Sequence, residues 1–264
     1  MLKRKLFRAT ALSFCLLFIT IEDPAQELKV NDTAVIQAAI ISSEDPAVAN
    51  TPAISLNKKA ASFVKKYLKE YDITLVAARR RSEAIFSIMD SVFTMFELPV
   101  QLKYMAVVES NLKTTVRSHV GAGGLWQLMP FTAKTFGLKI TKKYDERFHV
   151  YKSTVAAARY MQQLYDEFGD WLLAIAAYNA GSGKVHHAIR LSGSHDFWRL
   201  QNFLPAETRN HVKKFIGVNY YFEGQGSLAT MTKAETREYN KTLAEFMANN
   251  TITNDSTKIA VSEL

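Results

Sequence analysis

The segment VQLKYMAVVESNL, from Val100 to Leu112, has the spacing of an amphipathic helix. Its positions 102, 105, 109 and 112 are three, four and three residues apart, so a helix places them on one face. Three of these residues are apolar and the fourth is Glu109. A carboxylate on a core-facing stripe is costly unless it is paired or neutralised. The segment therefore predicts a packed helix with one chemically unusual position.

Glu109 has two interpretations that the spacing alone leaves open. It is either a structural carboxylate, paired or reaching water at the helix edge, or a general acid whose pKa is raised by apolar surroundings. Its place near the predicted end of the helix favours the second, because the helix dipole disfavours negative charge there. Polar, loop-like residues follow it, where a binding cleft can form.

The rest of the central region also has helical spacing. Residues 85–96 have apolar positions at helical intervals, and Leu98-Pro99 ends that run before a helix from about Pro99 to Asn111. Asp170 is a candidate N-cap for a helix from Trp171 to Asn179, which Gly181-Ser182-Gly183 interrupts. Two more helices carry the stripes 157/161/164/168 and 185/189, and a last one starts at Pro205 with positions 212, 215, 216 and 219 along one side.

These patterns predict a mainly α domain. Glycine and proline are sparse, at 11 and 6 of 264 residues, and no run has the alternation of a half-buried strand. We expect residues 1–25 to be a signal peptide or an N-terminal anchor and 26–57 to be a linker. A folded helical domain would occupy residues 58–224, and residues 225–264 would form a polar, partly ordered C-terminal tail.

The N-terminus has the composition of an export signal. Four basic residues lie within positions 3–8, and an apolar run from Ala9 to Ile21 follows them. An uncleaved segment that attaches the chain to the membrane stays an alternative, because no small residue stands three positions before a cut after Ala25. The single cysteine, Cys15, lies inside this run, so the exported protein would have no disulfide. The expected location is the bacterial periplasm or cell envelope.

The net charge of the chain is +8, and it is +6 once residues 1–25 are left out, since these hold four basic and two acidic side chains. Such a charge serves solubility or attracts an anionic polymer. Nucleic acid is disfavoured as the partner, because no basic stripe is interleaved with aromatic residues and the chain begins with an export signal.

Two further segments mix apolar surface with amide groups. In the first, Gly121, Gly123 and Gly124 make either a tight turn or a close backbone approach to a ligand, and LWQLMP follows at 125–130. Trp126 and Met129, taken alone, are core residues. The second segment is YNAG at 178–181, where Asn179 could be a helix cap. Flat apolar surface with a few fixed polar groups suits a sugar-binding site.

Four segments taken together, ESNL at 109–112, GAGGLWQLMP at 121–130, AYNAGSG at 177–183 and LPAETR at 204–209, resemble the lytic transglycosylases with a lysozyme-like catalytic domain. The resemblance covers roughly residues 60–224, about the size of one domain. It implies the mainly α, lysozyme-like fold of goose-type lysozymes and soluble lytic transglycosylases. The implied partners are the glycan strands of peptidoglycan, and no metal or other cofactor is required.

The resemblance also implies roles for individual residues. Glu109 matches the catalytic acid and base, and Ser118 matches a serine placed near that carboxylate. Residues that match substrate-binding positions are the following: Gln127 and Met129, which contact the N-acetylated sugar; Tyr178, which hydrogen-bonds near the catalytic glutamate; its neighbour Asn179; and Glu207, the acidic residue of the fourth segment.

The chain departs from the family pattern at His119, where proline is usual. We interpret His119 as a loop residue, because no second histidine or acid has metal-ligand spacing to it. His186 and His187 are adjacent on a predicted helix, so they point apart and are poor joint ligands.

The implied reaction needs a single carboxyl group. Glu109 would protonate the oxygen between N-acetylmuramic acid and N-acetylglucosamine, then accept the proton of the muramic acid 6-hydroxyl as that oxygen closes on C1 to give a 1,6-anhydro end. The alternatives are a goose-type lysozyme that uses water, a non-catalytic peptidoglycan-binding protein on the same fold, and a chitinase-like enzyme.

Overall fold

The computed structural model describes residues 51–262 of the chain, and the side chains among them up to residue 249. The expected export signal or anchor, Cys15 and most of the expected linker lie outside these residues. Within them the α-helices are α1 Lys58–Glu70, α2 Asp72–Met95, α3 Tyr104–Ser110, α4 Pro130–Thr135, α5 Val150–Phe168, α6 Trp171–Ala180, α7 Ser182–Ser192, α8 Phe197–Leu200, α9 Ala206–Glu223 and α10 Lys233–Ser262. Short 3₁₀ turns occupy Val100–Lys103, Glu146–Phe148, Gln201–Phe203 and Leu228–Thr230.

Helix α6 lies at the centre of the fold. Its residues 171–177 are all buried, because they are apolar on every side and no face suits water. Helices α5, α7 and α9 pack around it. Asp170 caps its N-terminus by accepting a hydrogen bond from the N–H of Leu173 at 3.1 Å, as the sequence predicted.

The mainly α fold is confirmed, and no strand occurs among residues 51–262, where only isolated β-bridges are found. The predicted break at residues 181–183 is narrower than expected. Gly181 alone separates the two helices, and Ser182 and Gly183 already belong to α7. Pro205 is the N-cap of α9, one residue before the helix begins. The predicted side of that helix, positions 212, 215, 216 and 219, is buried.

The predicted helix from Pro99 to Asn111 consists of two parts. A 3₁₀ turn at Val100–Lys103 leads into the α-helix Tyr104–Ser110, and Asn111 ends it in the left-handed conformation with φ 55°. Leu102, Met105 and Leu112 are at most 1% exposed, so the stripe faces the core as the spacing required. Glu109 is the penultimate residue of α3, at the end where carbonyl groups point outward.

Most of the described part of the segment predicted as a polar tail is helical: a 3₁₀ turn spans Leu228–Thr230, and α10 runs from Lys233 to Ser262. Leu228, Ala229, Met231 and Leu243 are buried, and the Lys233 N–H donates to Asp170 Oδ2 at 2.6 Å. The polar residues of α10 cover its outer side, which is why composition alone suggested a tail. The division of the chain into domains stays a prediction.

Candidate active site

Glu109 faces a histidine from another helix. The Nε2 atom of His211, on α9, lies 2.9 Å from Glu109 Oε1. The Glu109 side chain is 14% exposed and that of His211 9%, so the pair is close to the surface without being open to it. The partner is an imidazole rather than a lysine or arginine, and it carries a positive charge only when protonated.

Tyr178 reaches the same place from α6. Its hydroxyl donates to the backbone carbonyl of Trp126 at 2.7 Å. Burial raises the pKa of Tyr178 well above its ordinary value, and the nearby negative charge of Glu109 raises it further. The tyrosine is therefore a neutral neighbour of Glu109, and its hydroxyl proton is donated to the Trp126 carbonyl.

The residues from Arg117 to Leu128, here named the glycine loop, are fastened by a buried arginine. Arg147, 1% exposed, donates through Nη1 to the carbonyls of Gly121 at 2.6 Å and Leu128 at 2.9 Å. Its other nitrogens bind Asp145, and these bonds lower the pKa of the Asp145 carboxyl. The glycines therefore allow a close backbone approach to Arg147 of the protein itself, and their predicted approach to a ligand stays a prediction.

Gln127 lies at the end of this loop, directly after Trp126. Its backbone φ is 44°, and its Nε2 donates to the carbonyls of Val116 at 3.2 Å and Gly124 at 2.8 Å. Both amide hydrogens are used within the protein, which fixes the side chain and leaves Oε1 as the acceptor. Glu109 is thus connected to Gln127 through its neighbours. Tyr178 lies near Glu109 and donates to Trp126, which directly precedes Gln127.

Met129 and Trp126 have opposite surroundings. Trp126 is fully buried and donates from Nε1 to Thr154 Oγ1 at 3.0 Å, so it is a core residue. Met129 is 43% exposed at the N-cap of α4, so its interpretation as a core residue is wrong. Ser118 is half-buried within the glycine loop, where its Oγ accepts from the N–H of Ala122 at 2.9 Å.

The two remaining predicted residues lie around α9. Asn179 is inside α6, which ends at Ala180 with Gly181 as its cap, so the capping alternative is wrong. Its Oδ1 accepts from Thr208 Oγ1 at 2.8 Å, which ties α6 to α9 one turn before His211. Glu207 is exposed in the first turn of α9, and no contact between it and Glu109 is found among residues 51–249.

His211 is not among the residues predicted from the sequence, although a signal for it exists. Positions 208, 211, 212, 215, 216 and 219 of α9 are all buried, and a helix places them on one side. His211 is the ionisable residue of that stripe, as Glu109 is of its own. The same test applied to α9 would have selected it.

No group of three metal-binding side chains occurs in the part of the chain that the structure describes. His119 is an exposed loop residue. His186 and His187 have separate partners on the surface, Glu167 at 2.6 Å and Arg190 at 3.4 Å. The candidate site thus offers one carboxyl group beside an imidazole and a neutral phenol, an arrangement suited to proton transfer.

Comparison with known proteins agrees with this geometry. Residues 96–201 match the family model described as the transglycosylase SLT domain, a range that includes Glu109, the glycine loop and Tyr178. Over 172 residues the chain is 37% identical to membrane-bound lytic murein transglycosylase D of Escherichia coli strain K12. That match covers 62% of this chain and 36% of the relative, so the chain spans about a third of the relative's length.

Solved structures show the same fold. The crystal structure of the 70 kDa soluble lytic transglycosylase of Escherichia coli superposes with a TM-score of 0.50 at 26% identity, over 56% of this chain and 26% of that one. The complex of the 70 kDa soluble lytic transglycosylase with bulgecin A gives a TM-score of 0.52 at 22% identity, over 64% and 31% of the two chains. The predicted resemblance to the lytic transglycosylases is therefore confirmed: residues 96–201 match the transglycosylase SLT domain, and the fold is similar to that of the soluble lytic transglycosylases.

Proposed function

We propose that this chain is a peptidoglycan lytic transglycosylase and that Glu109 is its acid and base. The observation that carries the proposal is the position of Glu109. It lies on an apolar stripe with its side chain 14% exposed, and its side-chain partner among the described residues is an imidazole. It lies inside the segment that matches the transglycosylase SLT domain.

In the proposed reaction Glu109 donates one proton and then accepts another. Glu109 in its protonated form donates to the glycosidic oxygen between N-acetylmuramic acid and N-acetylglucosamine, and the bond from that oxygen to C1 breaks. The 6-hydroxyl oxygen of the muramic acid then bonds to C1, and Glu109 accepts the hydroxyl proton. The product is a 1,6-anhydro end, and Glu109 is again protonated without consuming water. Such transfer contributes roughly 10²- to 10⁴-fold to the rate.

A scheme with one carboxyl group suits the surroundings of Glu109. Glycosidases of the usual kinds place two carboxyl groups on either side of the bond that they cut. The ionisable groups that face Glu109 from α6 and α9 are Tyr178 and His211, and neither is a carboxylate. The acetamido group of the substrate would then stabilise the positive charge that develops at C1.

Gln127 and Met129 are suited to bind the sugar. The Oε1 of Gln127 is held by the two bonds of its amide nitrogen, so it can accept the N–H of an acetamido group with little loss of side-chain freedom. Met129 presents apolar surface beside it for a ring face. For Ser118, Asn179 and Glu207 we propose supporting roles: shaping the glycine loop, holding α6 against α9, and lining the rim of the site.

We propose that the enzyme acts in the bacterial cell envelope, with its N-terminal segment as export signal or membrane attachment. In residues 51–262, no helix has the length and apolar character needed to span a bilayer.

The test is mass spectrometry of purified peptidoglycan after digestion. We expect 1,6-anhydromuramic ends from the wild type, and we expect Glu109→Gln to lower the rate of their formation by at least about 10²-fold. Glu83 is an exposed glutamate on α2, and the control variant Glu83→Gln should retain the wild-type rate. Products heavier by one water would identify a hydrolase of the goose-lysozyme kind instead. Chitin oligomers cut faster than peptidoglycan would point to a chitinase-like enzyme. A wild type that binds peptidoglycan without cutting it would be a binding protein.

A further inference from the structure

His211 is buried with one ring nitrogen that has no partner. Its residue is 8% exposed, and its Nδ1 lies out of contact with solvent and with any hydrogen-bonding group of the described residues. Its Nε2 is 2.9 Å from Glu109 Oε1. The ring therefore makes its one hydrogen bond to the group on which the proposed reaction depends.

The lone Nδ1 indicates which nitrogen carries the proton. A doubly protonated ring, or one protonated on Nδ1 alone, would bury an N–H without an acceptor, which is costly. A neutral ring protonated on Nε2 leaves an unpaired acceptor at Nδ1 rather than an unpaired N–H, and it donates to Glu109. Of these protonation forms, it is the one that leaves no buried N–H without an acceptor.

We infer that His211 is a positioning residue, which donates from Nε2 to Glu109 Oε1 and so directs the exchangeable proton of Glu109 to Oε2. Oε1 is an acceptor whether the carboxyl is ionised or protonated, so the bond persists through both steps of the proposed reaction. With Oε1 occupied, the acidic proton resides on Oε2, which has no protein partner within residues 51–249. The inference rests on the proposed function.

The helices around His211 hold the ring in place. Thr208, one turn earlier on α9, is bonded to Asn179 of α6, and Phe215, one turn later, is fully buried. Tyr178 of α6 is an ionisable neighbour of Glu109, and Glu109 itself is supplied by α3. A displacement of about 1 Å in a reacting group costs on the order of 10²-fold in rate, so a fixed carboxyl is valuable.

Three substitutions of His211 distinguish the effect of losing the hydrogen bond from the effect of changing the packing. His211→Gln places an amide N–H where Nε2 lies, His211→Asn has the same amide but reaches only as far as Nδ1, and His211→Phe retains the volume of the ring. We expect His211→Asn and His211→Phe to lower kcat by roughly 10- to 100-fold with KM within about threefold. His211→Gln should recover most of the lost kcat.

The kinetics overturn the inference if all three variants turn over like the wild type, or if His211→Gln is as slow as His211→Phe. The thermal midpoint of each variant shows whether it is folded. If His211→Phe does not fold, the comparison of Gln with Asn, which differ only in reach, decides the matter.

A second measurement does not depend on activity. The chain has six histidines, and ¹⁵N-histidine spectra report which ring nitrogen of each bears the proton. The signals missing from His211→Gln identify His211, which we expect to be protonated on Nε2 only. A proton on Nδ1 would overturn the inference even if the wild type is an active transglycosylase. If the wild type makes no anhydro product, the proposed function fails, while the spectrum still reports on the hydrogen bond.

Discussion

A β-carbon on Gly124 would stand 1.9 Å from the carbonyl oxygen of Arg147. The backbone of Gly124 also has φ +76°, which side-chain-bearing residues rarely adopt. The glycine loop and the turn at Glu146–Phe148 are therefore in contact through their main chains.

Gly124→Ala should therefore destabilise the protein by roughly 2–5 kcal/mol, from steric overlap and backbone strain together. Urea unfolding measures this loss. Gly183→Ala, in α7, is the matched control, because a β-carbon added there would meet no atom within 4 Å and alanine favours a helix. An equal effect of the two substitutions would contradict the close contact.

Arg147→Lys should lower the free energy of unfolding by about 3–5 kcal/mol. Lysine cannot donate to two carbonyls and to Asp145 at once, so a buried charge would be left poorly paired. Arg117→Lys is the control within the same ion pair network. Arg117 binds the same Asp145 at 3.2 Å with its side chain 54% exposed, and we expect a loss of at most about 1 kcal/mol. Free energies of unfolding that rank the two variants the other way would show that Arg147 is not the anchor of the loop.

Tyr178→Phe should lower stability by about 1–2 kcal/mol, since the buried carbonyl of Trp126 loses its donor. We expect kcat to fall less than about tenfold, because the hydroxyl proton is given to Trp126 and not to Glu109. Tyr160→Phe, on the ring that packs 5.1 Å from Tyr178, is the control. A loss of kcat above 100-fold with stability intact would mean that the hydroxyl acts on the substrate or on Glu109.

Asp170 should make stability depend on pH between about 4 and 6. Burial raises the pKa of Asp170 to about 6 in the folded protein, against 3.8 as its ordinary value, although the N–H groups of Lys233 and Leu173 oppose this. The folded state thus holds the proton more tightly, so the contribution of this group to stability is complete below pH 3.8 and is lost as the pH rises through 6. The shift corresponds to about 3 kcal/mol.

Asp170→Asn removes this dependence while retaining a capping oxygen. We expect the unfolding free energy of the wild type, relative to the variant, to increase as the pH falls from about 7 to about 4. Asp166→Asn, an exposed aspartate on α5, should show no such change relative to wild type. A flat difference curve for Asp170→Asn would contradict the raised pKa.

Local patterns predicted the helices because burial and capping are encoded within a few residues. The N-cap at Asp170 and the stripe around Glu109 depend on spacing along one segment, and the structure has both. The split of the helix that carries Glu109 into a 3₁₀ turn and an α-helix was not predicted, since both give similar spacing over so short a run.

Contacts between distant segments could not be predicted in the same way. The pairing of Glu109 with His211 joins residues 102 positions apart, and the approach of Gly124 to Arg147 depends on where two loops meet. The helix after residue 233 was missed because its apolar positions are few and its anchor, Asp170, is 63 residues away. The roles of the predicted site residues stay proposals until the variants are measured.

The first described residues are hydrogen-bonded to Gly226 and to the last long helix, α10. The carbonyl of Ile54 accepts the N–H of Gly226 at 2.7 Å, the Tyr239 hydroxyl donates to the carbonyl of Pro52, and Asn57 donates to Glu235. A pulling force on either end of residues 51–249 would thus load these few bonds before it reached the helices that hold Glu109 and His211.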